Sequence, residues 1–239
     1  MISLIIPFYN CESLVANTVN KVKEYINNNP DMEFIAVNDG STDSTLRNLE
    51  DNKFEKMKIV SYSDNRGKGN AVREGVIAAT GDKVIFTDAD LAYGLTPVSE
   101  FANALNSYDI AIGTRRNDTS ISERYGFIRS ASSHIFSLIT HCILKLDIND
   151  TQCGFKGYRS DSAKKLFANL SVMGFGFDME ILAKAKKADM TLTQIPVKLL
   201  ANEKQSTVSL IRDGLKMIGD MLTIRKNLKQ GLITYEKDI

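Results

Sequence analysis

The chain has 239 residues, 43% of them hydrophobic and 25% charged, with a formal net charge of +1. This composition excludes general disorder, and the near-zero charge excludes a nucleic-acid binder driven by bulk electrostatics. Three scattered cysteines, Cys11, Cys142 and Cys153, argue against a disulfide framework or structural zinc site and fit a reducing compartment.

Short apolar, β-branched runs alternate with helix-like segments. Strands are expected at Ser3–Pro7, Glu33–Asn38, Lys58–Ser61, Lys83–Thr87 and Asp109–Gly113, and helices at Cys11–Asn28, Asp43–Asp51, Asn70–Ala79 and Pro97–Leu105. The second half predicts strands near Phe155–Tyr158 and Leu192–Val197. It predicts helices at Ile128–Leu144, Ser162–Asn169, Asp178–Lys187 and Val208–Lys229. The alternation implies an α/β fold with a mostly parallel sheet covered by helices. No linker, repeat or low-complexity tract divides it. The expected layout is one domain over residues 1–201, with a nucleotide-binding half (1–115) and an acceptor half (116–201), followed by a C-terminal helical appendage (202–239). The N-terminus lacks the basic region of a signal peptide, and no run reaches the roughly 20 apolar residues of a membrane span. A cytoplasmic protein, peripheral on the membrane at most, is expected.

In such sheets ligands gather at the carboxyl ends of strands. Several polar motifs fall there: "PFYN" (Pro7 to Asn10), "NDGSTDST" (Asn38 to Thr45) and "TDADL" (Thr87 to Leu91). The first aspartate of "NDGSTDST", Asp39, could accept an N–H from a nucleobase; Ser41 or Thr42 is placed to cap the next helix, and a plain capped turn is the alternative. "DNRGKGNAVREG" carries two glycines around Lys68 before a helix, which suits phosphate or is simply a glycine-rich helix entry. The last motif ends an apolar run on Asp88 and Asp90, two carboxylates that can converge on one hard cation such as Mg2+. Arg115 in "GTRR" and Arg129 in "FIRS" are either surface cations or an anion clamp. Asp178 and Glu180 open a helix, where acidic residues are favoured by the dipole alone. His134 and His141 read as packing or surface residues.

Taken in order, "IIPFYN", "VNDGSTDST", "NRGKGNAVREG", "FTDADL", "GTR" and "DTQCGFKGY" resemble family-two glycosyltransferases with the GT-A fold. More narrowly they are similar to the polyprenyl-phosphate hexose synthases, over roughly Ile2 to Lys198, with "DTQCGFK" like the glucosyltransferase branch. The resemblance implies a nucleotide pocket lined by Pro7, Tyr9, Asn10, Asp39, Lys68 and Asp88, with Mg2+ or Mn2+ held by Asp88 and principally by Asp90. It implies that Arg115 and Arg129 hold an acceptor phosphate, and that Asp150 and Gly154 form a turn beside the sugar. The chain departs from the pattern in two places. Cys11 displaces the usual glutamate to Glu12, and Ala92 stands where the mannose branch has a metal-binding Gln.

The expected activity is inverting transfer of a hexose from a nucleotide diphosphate sugar, a UDP sugar in preference, to a polyprenyl phosphate. Asp90, Arg115, Arg129, Asp150 and Asp178 are the catalytic candidates. The alternatives are a transferase acting on a sugar hydroxyl, with Asp150, Asp178 or Glu180 as base, and a non-catalytic nucleotide-sugar-binding subunit. Val208, Ile211, Leu215, Ile218 and Leu222 recur at helical spacing beside Arg212, Lys216, Arg225 and Lys226. That stripe suits an amphipathic helix on an anionic membrane surface, or packing against the domain or a homodimer partner.

Overall fold

The computed structural model describes residues 1–115, 140, 142–146, 148, 150–200 and 210–230. Its strands are β1 (Ile2–Phe8), β2 (Met32–Asp39), β3 (Met57–Tyr62), β4 (Lys83–Phe86), β5 (Ile110–Thr114), β6 (Lys156–Arg159) and β7 (Leu192–Pro196). The helices are α1 (Glu12–Asn27), α2 (Thr45–Asp51), α3 (Lys68–Ala78), α4 (Pro97–Ala104), α5 (Ser160–Phe167), α6 (Phe177–Lys187) and α7 (Leu210–Lys229). Residues 142–144 are also helical; most of the helix expected at Ile128–Leu144, including Arg129, His134 and His141, lies outside the described residues, as does Arg116.

One sheet runs in the order β3-β2-β1-β4-β6-β5-β7. β1, β2, β3 and β4 are parallel, as are β5 and β7; β6 runs antiparallel between β4 and β5. The mostly parallel sheet is therefore present, with one reversed strand. That reversal decides the site. The carboxyl ends of β1, β2, β4 and β5 share a rim with the amino end of β6, so the "TQCGFK" turn arrives beside "TDADL".

The central strands β1, β2, β4 and β5 are largely apolar because both faces are covered. Successive residues of β1 face opposite ways. Ile5 joins a core with Ile35, Val37, Phe86, Ile112 and Tyr158 under α3, α5 and α6. Leu4 and Ile6 join Phe34, Ala36, Ile85 and Phe155 under α1, α2 and α4. The helix at α1 follows from its buried positions, Val15, Val19, Val22 and Ile26, which recur at three- and four-residue spacing.

Helix α7 packs on this body. Met221 and Ile224 are fully buried, and Met217, Ile218 and Leu228 lie against the first core. Leu222 is 54% exposed, so the buried face is rotated away from the stripe expected through Leu222. Packing on the domain accounts for this part of the helix. Val208 lies outside the described residues, as do the side chains of Ile211, Arg212, Leu215 and Lys216. Among the described residues, no helix is long and apolar enough to cross a membrane.

Candidate active site

The loops after β1 and β2 are stapled together. Asn10 sits at φ 45°, a left-handed conformation that Asn tolerates better than most residues. Its N–H donates to Ser41 Oγ at 3.1 Å, and its Oδ1 accepts the Thr42 N–H at 2.8 Å. Glu12 Oε2 accepts the Ser44 N–H at 2.9 Å, which gives the displaced glutamate a structural role. Asp43 Oδ1 accepts the Thr45 N–H at 2.9 Å at the start of α2. Neither Ser41 nor Thr42 caps that helix, as had been expected: it begins later, at Thr45, and the two residues serve Asn10 instead. Pro7 is the penultimate residue of β1, and Tyr9 stands 49% exposed beside this staple.

Asp39 is only 3% exposed. Its Oδ1 accepts the Tyr62 hydroxyl at 2.8 Å and the Arg66 N–H at 2.9 Å; its Oδ2 accepts Asn65 Nδ2 and the Gly67 N–H, each at 3.0 Å. An ionised carboxylate offers about four lone-pair sites, so all are engaged. Asp39 holds the entry to α3, and accepting a base donor would require exchanging one of these four bonds. Arg66 extends from that loop across the Tyr62 ring, 5.0 Å from its centroid.

The glycines of "RGKG" meet protein rather than open solvent. The Gly69 N–H donates to Met173 O at 2.8 Å, and a Cβ on Gly69 would lie 2.6 Å from Phe177 Cβ. That amide is therefore not open to a phosphate. Lys68, by contrast, points to the rim. Its Nζ is 2.5 Å from Asp88 Oδ1. Burial acts to lower the Lys68 pKa, but the charges of Asp88 and Asp178 hold it above the ordinary value.

The residues after β4 form a tight turn. The Leu91 N–H donates to Asp88 O at 3.0 Å, and Leu91 adopts φ 51° while 3% exposed. A bulky residue in that region is strained. The turn leaves Asp90 exposed, with Oδ1 accepting the Ala92 N–H at 3.1 Å. Loss of hydration and the neighbouring Asp88 charge raise the Asp90 carboxyl above its ordinary range. Of these two crowded carboxylates, Asp88 pairs with Lys68. Asp90 makes no ion pair among the described residues and feels Lys68 only at longer range, which fits a hard cation at Asp90. Among the described residues, no cluster of three or more His, Cys, Asp or Glu forms a metal cage. Mg2+ and its like commonly take one or two carboxylates and complete their shell with water and substrate phosphates.

Gly154 forms the next wall. A Cβ there would fall 2.0 Å from Asp88 Oδ2, so only glycine lets the turn lie against that carboxylate. Beneath it is a residue not singled out in the sequence, Lys156, fully buried at the start of β6 opposite Phe86. Its Nζ donates to Cys153 O at 2.6 Å and lies 2.9 Å from Asp178 Oδ1. A lysine between aromatics in an interior strand is the signal that marks it. Asp178 is 4% exposed. Burial raises its carboxyl, with Lys156 and Lys68 opposing.

Arg115 follows β5. Its Nε and Nη2 donate to Asp150 Oδ2 and Oδ1 at 2.7 and 2.8 Å, and its own N–H donates to Oδ2 at 3.1 Å. Burial opposes the charge on each partner; the pairing prevails, so Arg115 is held above and Asp150 below the ordinary value. The fork thus grips Asp150 through Nε and Nη2; among the described residues Nη1 makes no hydrogen bond. Glu180 is fully buried and accepts from the Ser171 and Val172 N–H groups and the Ser171 hydroxyl, with Lys184 Nζ at 2.9 Å. It braces the 171–172 backbone and cannot reach a substrate.

The rim brings Pro7, Tyr9, Asn10, Asp39, Lys68, Asp88, Asp90, Asp150 and Arg115 to one edge of the sheet, with Asp178 just below. A glycosyltransferase that draws on a nucleotide sugar presents such an edge on the GT-A fold. Residues 3–167 match glycosyl transferase family 2, and the chain belongs to that family.

Its curated relatives include dolichyl-phosphate beta-glucosyltransferase of Drosophila melanogaster, 31% identical over 82% of this chain and 66% of the fly protein. The Saccharomyces cerevisiae protein of that name is 29% identical over 99% of this chain and 77% of its own length. The Homo sapiens protein is 28% identical over 99% and 78%. This chain thus spans just under two thirds of the fly protein's length and over three quarters of the other two. Among solved structures, glucosyl-3-phosphoglycerate synthase from Mycobacterium tuberculosis in complex with UDP superposes with TM-score 0.71 at 17% identity, over 95% of this chain and 80% of that one. The same enzyme in complex with Mn2+, UDP and phosphoglyceric acid gives 0.68 at 17% identity, over 94% and 78%. At such identity the likeness establishes the fold.

Proposed function

We propose that this protein transfers a hexose, with inversion, from a UDP sugar to a polyprenyl phosphate at the membrane surface. The observation that carries this reading is the state of its acids. A hydroxyl acceptor needs a general base within reach. Asp150 is clamped by Arg115, Glu180 is buried and saturated, and Asp178 lies buried against Lys156. A phosphate monoester is already anionic at neutral pH and needs orientation instead. Family membership and relatives named as dolichyl-phosphate glucosyltransferases support the same acceptor class.

In this mechanism the staple of Asn10 with residues 41–42 and the loop held by Asp39 form the nucleoside end of the rim. Asp88 and Asp90 would hold a divalent cation, Mg2+ or Mn2+. When bound, that cation offsets charge on the departing nucleotide diphosphate. Lys68 stands on the same side and adds a fixed positive charge. Arg115 directly follows β5, two strand spacings from β4, about 10 Å along the sheet. That leaves room for a hexose between diphosphate and acceptor. Its remaining guanidinium nitrogen, together with Arg129, orients the attacking phosphate oxygen towards the anomeric carbon. The bond to the nucleotide diphosphate breaks on the opposite side.

The test is a donor screen with Mg2+ or Mn2+ and a polyprenyl phosphate, with products identified by mass. Transfer only to a sugar hydroxyl would sink the acceptor assignment. Replacing Arg129 with Ala should weaken acceptor binding roughly ten- to a hundredfold, the scale of one charge-assisted bond to phosphate. Arg115→Ala should do the same and also lower stability, because it strips Asp150 of its partner. Donor affinity should barely change in either variant. Acceptor kinetics untouched in both would discard the clamp. Calorimetry should also show uridine diphosphate with Mn2+ binding more tightly than guanosine diphosphate. The UDP-bound structural relatives and Ala92 in the place of the Gln support that order, and the opposite order would reverse it.

A further inference from the structure

We propose that Lys156 is a positioning residue of the donor site: it ties the Cys153–Gly154 turn and Asp178 to the floor of the rim and so fixes the carboxylate of Asp88. The proposal rests on the donor-binding half of the reading above and is independent of the acceptor.

A fully buried lysine is costly unless it is paired, and a well-packed apolar residue of similar volume would often serve stability as well or better. What an apolar residue could not supply is the set of links that Lys156 makes. Its ammonium donates to Cys153 O at 2.6 Å, faces Asp178 Oδ1 at 2.9 Å and stands 5.6 Å from the centroid of the Phe86 ring. The first link reaches one wall of Asp88, because Gly154 follows Cys153 directly and a Cβ on it would lie 2.0 Å from Asp88 Oδ2. The second link reaches the other wall. Asp178 acts electrostatically on Lys68, whose Nζ sits 2.5 Å from Asp88 Oδ1. Two lysines and two aspartates thus alternate from the floor to the rim, and Asp88 is held between Lys68 and Gly154. Lys156 touches neither donor nor cation; it sets where Asp88 stands.

Lys156→Met alone leaves Asp178 buried without its partner, so its unfolding midpoint should fall. The double variant Lys156→Met/Asp178→Asn removes both charges and should recover most of that midpoint. Mn2+ binding is followed by electron paramagnetic resonance, and uridine and guanosine diphosphate binding by calorimetry, all without acceptor. Loss of one charge-assisted link predicts that the double variant binds the Mn2+–nucleotide pair roughly tenfold more weakly than wild type despite its recovered midpoint. Its crystal structure should show the Cys153–Gly154 turn displaced from Asp88. Lys156→Arg keeps the charge opposite Asp178 and should bind more tightly than the double variant. Wild-type binding in either Lys156→Met or the double variant, with the turn in place, would make Lys156 a core residue only and overturn the proposal. A wrong acceptor assignment leaves all these readouts unchanged.

Discussion

Asp90→Ala should cut sugar transfer by roughly a hundredfold to a thousandfold, the usual scale for removing one fixed electrostatic contact to a developing charge. The fold should survive. Asp90 is exposed, and the one bond its side chain makes among the described residues is that from the Ala92 N–H at 3.1 Å. Its carboxyl is raised by lost hydration and by Asp88, so deleting it relieves a repulsion and the melting temperature should hold or rise slightly. Asp88→Ala would be a poorer probe, since it also strips Lys68 of its partner. Asp90→Asn keeps the volume and an oxygen but loses the charge, and should fall between Ala and wild type. Mn2+ affinity should drop along with turnover. Wild-type turnover in Asp90→Ala would remove this residue from the mechanism.

The first half of the fold was legible because βα units write themselves locally. An apolar run of strand length, a turn and a 3.6-residue stripe occur in order along one stretch, as from β1 through α1. The direction and place of β6 were not legible. Lys156–Arg159 pairs with Lys83–Phe86, some seventy residues earlier, and periodicity carries no sign of orientation. The same blindness hid Lys156, whose partner Asp178 lies on a helix beyond β6 and α5. It also gave "RGKG" the look of a phosphate cradle, although Gly67 and Gly69 are small because the Met173–Phe177 segment packs on them. The place of Asp88 and Asp90 just beyond a buried strand was readable, since an apolar run there leads straight into charges. The engagement of Asp39 and Arg115 was not, because each partner is brought in by tertiary contact. At α7 the residue spacing announced a helix, but which face is buried depended on its docking against α6. Met221 and Ile224 went inward and Leu222 stayed out.

Gly154→Ala should lower kcat/KM for the donor by about a hundredfold, the loss that a misplacement of about 1 Å near reacting groups can cause. Gly154 does not occupy the left-handed region that only glycine readily adopts, so alanine suits its backbone and the effect isolates a contact. The new methyl would stand 2.0 Å from Asp88 Oδ2 and 2.9 Å from its Cγ, closer than carbon and oxygen can come. Asp88 must therefore turn away, and it gives up the short ion pair with Lys68 as it does so. Both groups belong to the donor half of the rim, so Mn2+ and nucleotide affinity should fall together, with acceptor KM little changed. Stability should drop less, because the displaced carboxylate lies at the solvent edge. Gly157→Ala, three residues on and inside β6, provides the comparison. Its methyl would meet Leu105 Cδ1 at 3.1 Å and Ile85 Cγ1 at 3.4 Å, apolar side-chain atoms that can yield. That variant should lose some stability and keep its donor affinity. If Gly154→Ala binds Mn2+ and nucleotide as wild type does, the close approach to Asp88 has no bearing on the donor site.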